Sequence, residues 1–360
     1  MVIFITILVF IFVLGILVFV HEFGHFLAAR RLGIRVEEFA FGFPPTLWRK
    51  KVGNTTYKIN AVPIGGYVKL YGEEGQHKKE LNSFVAKPVW VRMIVVAAGV
   101  LMNFVLTFVL FWIGFSIGMP VTLTNPTDIP NAKITNQVII SDTQKGSPAA
   151  LAGLSMGDIV LNINGESFNN AQEMANYTKS HLGQPITIQL KRYGMTKTIT
   201  TTLGDTDAPL GVSIVEGQIV KVPFWQAPVT AIQETGKLFV AIFVGLGQII
   251  KTLVVSKKVQ EGVVGPVGIL FLFKAAVKLG LLYIIQLTAL ISINLAIVNF
   301  LPFPALDGGK FIFLLIEAIS RRKVSQKVEN IIHTIGFAIL ILLILLITWR
   351  DVAQYFLRKG

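Results

Sequence analysis

The chain has 360 residues, 53% of them hydrophobic and only 15% charged, with a mean hydropathy of +0.65. Soluble proteins keep roughly a quarter of their residues charged, so most of this chain belongs in lipid. Cysteine is absent, which excludes disulfide scaffolds, cysteine-ligated zinc ribbons, iron–sulfur clusters and thiol nucleophiles. Any metal must be held by His, Asp, Glu or Asn. The net charge of +13 does not point to nucleic acid, because 12 of the 33 Lys and Arg lie between Arg30 and Arg92, beside two apolar runs. That placement encodes membrane topology and headgroup attraction.

Residues 2–20 (VIFITILVFIFVLGILVFV) are an unbroken apolar stretch of 19, long enough to cross the roughly 30 Å hydrocarbon core as a helix. A signal peptide would need a basic segment before a shorter apolar one. Here no Lys or Arg precedes the run, and Arg30 and Arg31 follow it. A retained transmembrane helix over 1–29 is expected, running from outside to the cytosol. Residues 30–89 mix 5 acidic residues with Gly and Pro punctuation and alternating stretches, TYKINAV and YVKLYG, that read as short strands. This is a β-rich re-entrant region on the cytosolic side. A second transmembrane helix is expected over 90–119, interrupted by Arg92 and Asn103.

Residues 120–222 have the composition of a water-soluble domain, with 7 Lys and Arg against 8 acids, strands such as ITIQLKRY and TKTITTTL, and two turn-rich passages, KGSPAALAGLSMGD and NINGESFNN. Residues 223–280 read as a helical connection. Within it Leu238–Val255 is apolar enough to cross, but Gln248 and Lys251 suit the membrane interface equally well. A third transmembrane helix over 281–309 carries Asn294 and Asn299 and ends in LPFPALDGG. A basic cytosolic segment follows over 310–330, then a fourth transmembrane helix over 331–349 and a tail over 350–360.

The first apolar run continues into HEFGH, which sets His21 and His25 four residues apart on one helix face with Glu22 beside the first. Two imidazoles at that spacing can hold one zinc ion. Ionisable groups at membrane depth cost a few kcal/mol each, so they persist where they have partners; the bland alternative is a helix end solvated among headgroups. Catalytic zinc takes a third protein ligand and leaves a fourth position open. His77 and His181 lie in hydrophilic stretches, which leaves His333 and Asp307 as competitors. Asp307 is favoured: it stands in apolar surroundings where Asn299, Pro302 and Pro304 break the helix, and irregular backbone near a membrane is tolerated where it lines a pocket.

HEFGH, the GVLMNF stretch (a GxxxN pattern from Gly99 to Asn103), the PDZ-like passage and NFLPFPALDGG occur in the order found in intramembrane zinc proteases of the site-2 type. The chain resembles in particular the bacterial regulator-of-sigma-E protease group with a single PDZ domain. The resemblance covers most of the chain and implies a polytopic α-helical membrane protein of about four transmembrane helices, with a membrane-associated β-rich loop and one inserted PDZ-like α+β domain. It implies that His21, His25 and Asp307 bind zinc and that Glu22 is the catalytic base. Asn294, Asn299 and, less directly, Gly65, Gly66 and Asn103 would then meet substrate, with GGYVKLYG in a sheet beside the active site. Helix packing is the alternative role for either α-helical Asn, and an ordinary turn the alternative for the glycine pair. The expected substrates are transmembrane proteins or peptides, including anti-sigma factors and signal-peptide remnants, cleaved in the lipid bilayer of the bacterial inner membrane. A peptide or partner domain would occupy the PDZ groove unless that domain acts only as a bulky filter. The competing function is a non-enzymatic metal-binding scaffold or transporter, which would have no use for Glu22 as a base.

The metal site also constrains topology. With His21 and His25 at the cytosolic end of the first helix, Asp307 must reach the same side. The helix over 281–301 must therefore run inwards, and Leu238–Val255 is expected to lie on a surface. The last helix then leaves from the basic patch of Arg321, Arg322, Lys323 and Lys327.

Overall fold

The computed structural model describes residues 2–121, 123–256 and 264–357. The chain divides into two compact units, one built mainly from residues 4–109, 238–270 and 288 onward, the other from 110–237 and 271–287.

In the first unit, helix α1 (Val2–Arg31) runs without a proline or a charge as far as Glu22. It stops at Gly33, which takes a left-handed φ of 69°, and the Ile34 N–H turns back to the Ala29 carbonyl at 2.9 Å. Strands β1 (Val36–Val52) and β2 (Thr55–Leu70) follow. Each bends midway, β1 around Pro44 and Pro45, so that two long strands give four antiparallel segments. Residues 46–52 pair with 55–60, residues 56–62 with 38–43, and 36–41 with 66–70. Segment 66–70 is therefore an edge with no second strand partner among the described residues. Phe26, Ile34, Val36, Phe39, Leu70 and Val95 form the core that seals the sheet onto α1 and the start of α2 (Val89–Ile117).

The second unit centres on a six-stranded antiparallel sheet of order β3-β8-β4-β5-β6-β7. Its strands are β3 (Met119–Pro120), β4 (Lys133–Thr143), β5 (Ile159–Ile163), β6 (Pro185–Arg192), β7 (Met195–Thr202) and β8 (Val212–Lys221). Between β4 and β5 lies the short helix α3 (Pro148–Leu151), and between β5 and β6 lies α4 (Ala171–Ser180). Strict alternation in β6 buries Ile186, Ile188 and Leu190, which meet Ile140, Ile163 and Met174 in one core. Asp158 is fully inside and is held by Arg192, whose Nη2 lies 2.6 Å from Oδ2. That bond raises the already high pKa of the guanidinium.

Five further helices complete the chain: α5 (Ala227–Ser256), α6 (Pro266–Leu279), α7 (Leu281–Phe300), α8 (Asp307–Ser320) and α9 (Gln326–Leu357). Part of the expected connection, 257–263, and the end of the expected tail, 358–360, lie outside the described residues. The expected basic segment is mostly helical, because α8 has an apolar face of its own and covers its first half, while α9 begins five residues early and takes in most of the tail. Among the described residues, five helices are long and apolar enough to cross a membrane: α1, α2, the first part of α5, α7 and α9. Residues Ala227–Ile249 of α5 are the least apolar of the five, with a hydropathy of 1.4 against 2.2–3.4 for the others.

Candidate metal centre

Helix α1 places the His21 and His25 rings one above the other, with centroids 4.9 Å apart. Asp307 comes from the first turn of α8, 282 positions beyond His25, and its Oδ2 lies 2.9 Å from His21 Nε2 and 3.3 Å from His25 Nε2. The two Nε2 atoms are 3.3 Å apart. Ligands at about 2.0–2.1 Å from a tetrahedral zinc would be separated by about 3.3–3.4 Å; two sides of the triangle match and the third, at 2.9 Å, would open by about 0.4 Å.

The second ring nitrogens support this fit. His25 Nδ1 donates to the Val95 carbonyl at 2.8 Å, which leaves its Nε2 with a lone pair. Two imidazole nitrogens and one carboxylate oxygen thus face one another, a donor set that suits a shared divalent cation.

The rings lie against one face of α2, where Val95, Gly99 and Asn103 recur every four residues. A Cβ on Gly99 would lie 2.7 Å from His25 Cε1 and 2.9 Å from Cδ2, and closer still to Nε2. On the α8 side, Pro302 and Pro304 end α7, and Gly308 and Gly309 allow the loop to fold back against the helix start. A Cβ on Gly309 would be 2.5 Å from the Phe303 carbonyl oxygen. Ala305 sits at φ 78° and donates its N–H to His333 Nδ1 at 2.8 Å. His333, the competitor for third ligand, thus clamps the loop that carries Asp307 and does not enter the triangle.

Glu22 is half-buried, within electrostatic range of His21, His25 and Asp307. The edge segment of β2 passes beside it: a Cβ on Gly66 would lie 3.3 Å from Glu22 Cγ, while Gly65 holds φ 100° against the Phe43 ring. Asn294 is exposed on α7 and donates to the Leu290 carbonyl at 2.7 Å; Asn299 is half-buried on the same helix. Asn103, expected to meet substrate, is instead 0% exposed and has its amide 3.4 Å from His21 Nδ1. His77 bonds Glu80 and His181 bonds Ser180 and the Tyr177 carbonyl, both away from the triangle.

Two supports were not legible as such in the sequence. Lys310, one turn beyond Asp307, is 2.7 Å from Glu73, whose carboxylate holds the ammonium pKa above the ordinary lysine value. Arg92 makes two bonds to Glu317, at 2.5 and 3.1 Å, with both side chains largely buried. An arginine inside an apolar run signals a partner but does not name it. These pairs, with Glu329 and His333, line a cavity of about 410 Å³.

One helix presenting two histidines and an adjacent glutamate, with an aspartate from the helix start that follows a broken helix, in a largely apolar chain defines a membrane metallohydrolase. The comparisons agree with that class: the model of peptidase family M50 matches residues 9–343, and the chain belongs to that family. Zinc metalloprotease RasP of Geobacillus kaustophilus is 30% identical over 98% of this chain and 99% of its own length. The RasP of Shouchella clausii is 29% identical over 98% and 99%. The regulator of sigma-W protease RasP of Bacillus subtilis is 28% identical over 98% and 99%. Among solved structures, a PDZ domain of an SdrC-like protein from Listeria monocytogenes aligns with 26% of this chain and 94% of its own at 23% identity and a TM-score of 0.20. The protein is a zinc-dependent intramembrane endopeptidase of the site-2 class, and the scaffold alternative falls.

Proposed function

We propose that His21, His25 and Asp307 hold the catalytic zinc and that Glu22 is the general base for hydrolysis of peptide bonds within or near transmembrane segments. The observation that carries this reading is the convergence of two Nε2 atoms and one carboxylate oxygen within 3.3 Å of one another, with Glu22 next in sequence to His21. Zinc bound there supplies a Lewis acid and a water of lowered pKa. Glu22 takes the proton of the attacking water and returns it to the leaving amide nitrogen, with no covalent enzyme intermediate. Asn294 and Asn299, on the helix leading to Asp307, hold the substrate backbone.

A helical substrate must unwind to be cut, and lipid offers its freed N–H and C=O groups nothing. The open β2 edge at 66–70 supplies those bonds by strand addition, and Gly66 lets the added strand pass close to Glu22. The open edge of β8 supports a peptide-binding role for the PDZ-like domain over one of bulk alone. β4 pairs the whole of β8 on one side, while β3 covers only Ile219 and Val220 on the other, which leaves 212–218 beside α4. The sigma-W name of the Bacillus subtilis relative supports anti-sigma-type membrane substrates. The basic residues at the end of α1 and after α8 support a cytosol-facing zinc site with the PDZ-like domain outside the inner membrane. The test is Glu22→Gln in the full chain: cleavage of a transmembrane peptide is expected to fall by at least about 10²-fold with zinc content unchanged. Undiminished cleavage would sink the assignment.

A further inference from the structure

A zinc-ligating imidazole keeps its metal-facing nitrogen free only when the other carries the proton, and that proton needs an acceptor. His25 has one, because its Nδ1 donates to the Val95 carbonyl at 2.8 Å. His21 has only the Asn103 amide, 3.4 Å from its Nδ1 and eight positions along the same face of α2. Asn103 is 0% exposed, so bulk solvent does not reach it.

An amide presents an oxygen at one end and an NH2 at the other, and a half-turn exchanges them without moving the residue. With NH2 towards His21, the ring proton is driven to Nε2, where it would block the metal. With the oxygen towards His21, Nδ1 keeps its proton and Nε2 turns a lone pair to Asp307 and His25. The residue is held firmly enough for this task. Its own carbonyl accepts from Thr107 Oγ1 at 3.0 Å and from Ser292 Oγ of α7 at 2.9 Å.

We propose that Asn103 is a positioning residue: its amide oxygen accepts the Nδ1 proton of His21 and so fixes the tautomer and ring angle that the metal site requires. The proposal rests on zinc occupying the His21–His25–Asp307 triangle. On this basis the GxxxN spacing has a physical meaning, because its Gly makes room for the His25 ring and its Asn orients the other, one helical turn away.

The roles of acceptor and donor separate cleanly in two variants. Asn103→Asp keeps an acceptor and cannot donate, whereas Asn103→Leu can do neither. Zinc affinity is to be measured on the purified full-length chain by competition with a chromogenic chelator, alongside thermal melting of the metal-free forms. Asn103→Leu is expected to bind zinc about 10–100-fold more weakly, and Asn103→Asp to stay within about three-fold of the parent, the spread by which single contacts ordinarily vary with context. Equal loss in the two variants, or parent affinity in Asn103→Leu, overturns the proposal. Should a variant fail to fold, 15N-histidine spectra of the zinc-loaded parent decide. Only five histidines are present, and His21 is expected to ligate through Nε2 with its proton on a hydrogen-bonded Nδ1, ligation through Nδ1 being the contrary result. A parent that binds no zinc at all overturns the metal reading itself, which keeps the two failures apart.

Discussion

Gly99→Ala isolates the close approach of α2 to the metal ligands. In an exposed helix this substitution stabilises by about 0.5–1 kcal/mol, because alanine has less chain entropy to lose. Here the new methyl would lie 2.7 Å from His25 Cε1 and closer still to Nε2, against an ordinary contact of 3.4 Å, so the ring or the helix must yield by more than about 0.7 Å. Backbone motion is opposed on both sides, since Gly24 of α1 already packs against Ala98, with a Cβ there placed 2.8 Å from the Ala98 carbonyl carbon. The ring therefore moves, by more than the roughly 0.2 Å a zinc–ligand distance tolerates. We expect zinc affinity to fall at least about 10-fold and turnover about 10²-fold, while the metal-free protein melts no lower than the parent. The assay is chelator competition and cleavage of a transmembrane peptide in detergent. Gly245→Ala on α5, where a Cβ would meet nothing within 4 Å, is the control. Parent zinc affinity in Gly99→Ala would refute the steric account.

Arg92→Met strands the largely buried Glu317 carboxylate. It is expected to cost about 3–5 kcal/mol in chemical denaturation, with most of the loss recovered by adding Glu317→Leu. Burial alone would raise the Glu38 pKa, but the Lys58 and Tyr67 bonds outweigh it and hold the carboxyl below its ordinary value. Its contribution is thus present above the ordinary glutamate range and lost as pH falls through the depressed value. The melting temperature of Glu38→Gln should therefore drop less than the parent's between pH 7 and pH 4, and an equal drop would contradict this.

Periodicity and length made the spanning helices legible, and HEFGH displayed its own geometry because both histidines ride one helix. Asp307 was legible through context: an acid after a broken helix in apolar surroundings needs a partner. The bend of β1 and β2 into four segments was not legible, because strand alternation records which faces are buried and not which neighbour pairs. The neighbour of Asn103 was not legible for a related reason. An asparagine in an apolar run signals a hydrogen bond, and only the packing of α2 on α1 says that the partner is a histidine.

The number of crossings follows from parity. His21 and His25 lie near the C-terminal end of α1, His25 meets Val95 near the N-terminal end of α2, Asp307 follows the C-terminal end of α7, and His333 near the start of α9 holds Ala305. On the proposed reading α1 and α7 run inwards and α2 and α9 outwards, so the chain between α2 and α7 must cross an even number of times. Helix α6, with 14 residues, spans about 21 Å, short of the roughly 30 Å core, and cannot return a crossing made by α5. The parity therefore favours an α5 that stays on one side despite being long and apolar enough to span. The cysteine-free sequence makes the test direct, since each introduced thiol is a unique reporter. Trp225→Cys and Val255→Cys bracket the apolar stretch Ala227–Ile249 of α5 at positions 80% and 73% exposed. A membrane-impermeant thiol reagent applied to sealed, oriented vesicles should label both from the outer face; labelling from opposite faces would mean that α5 crosses and that the four-span topology is wrong.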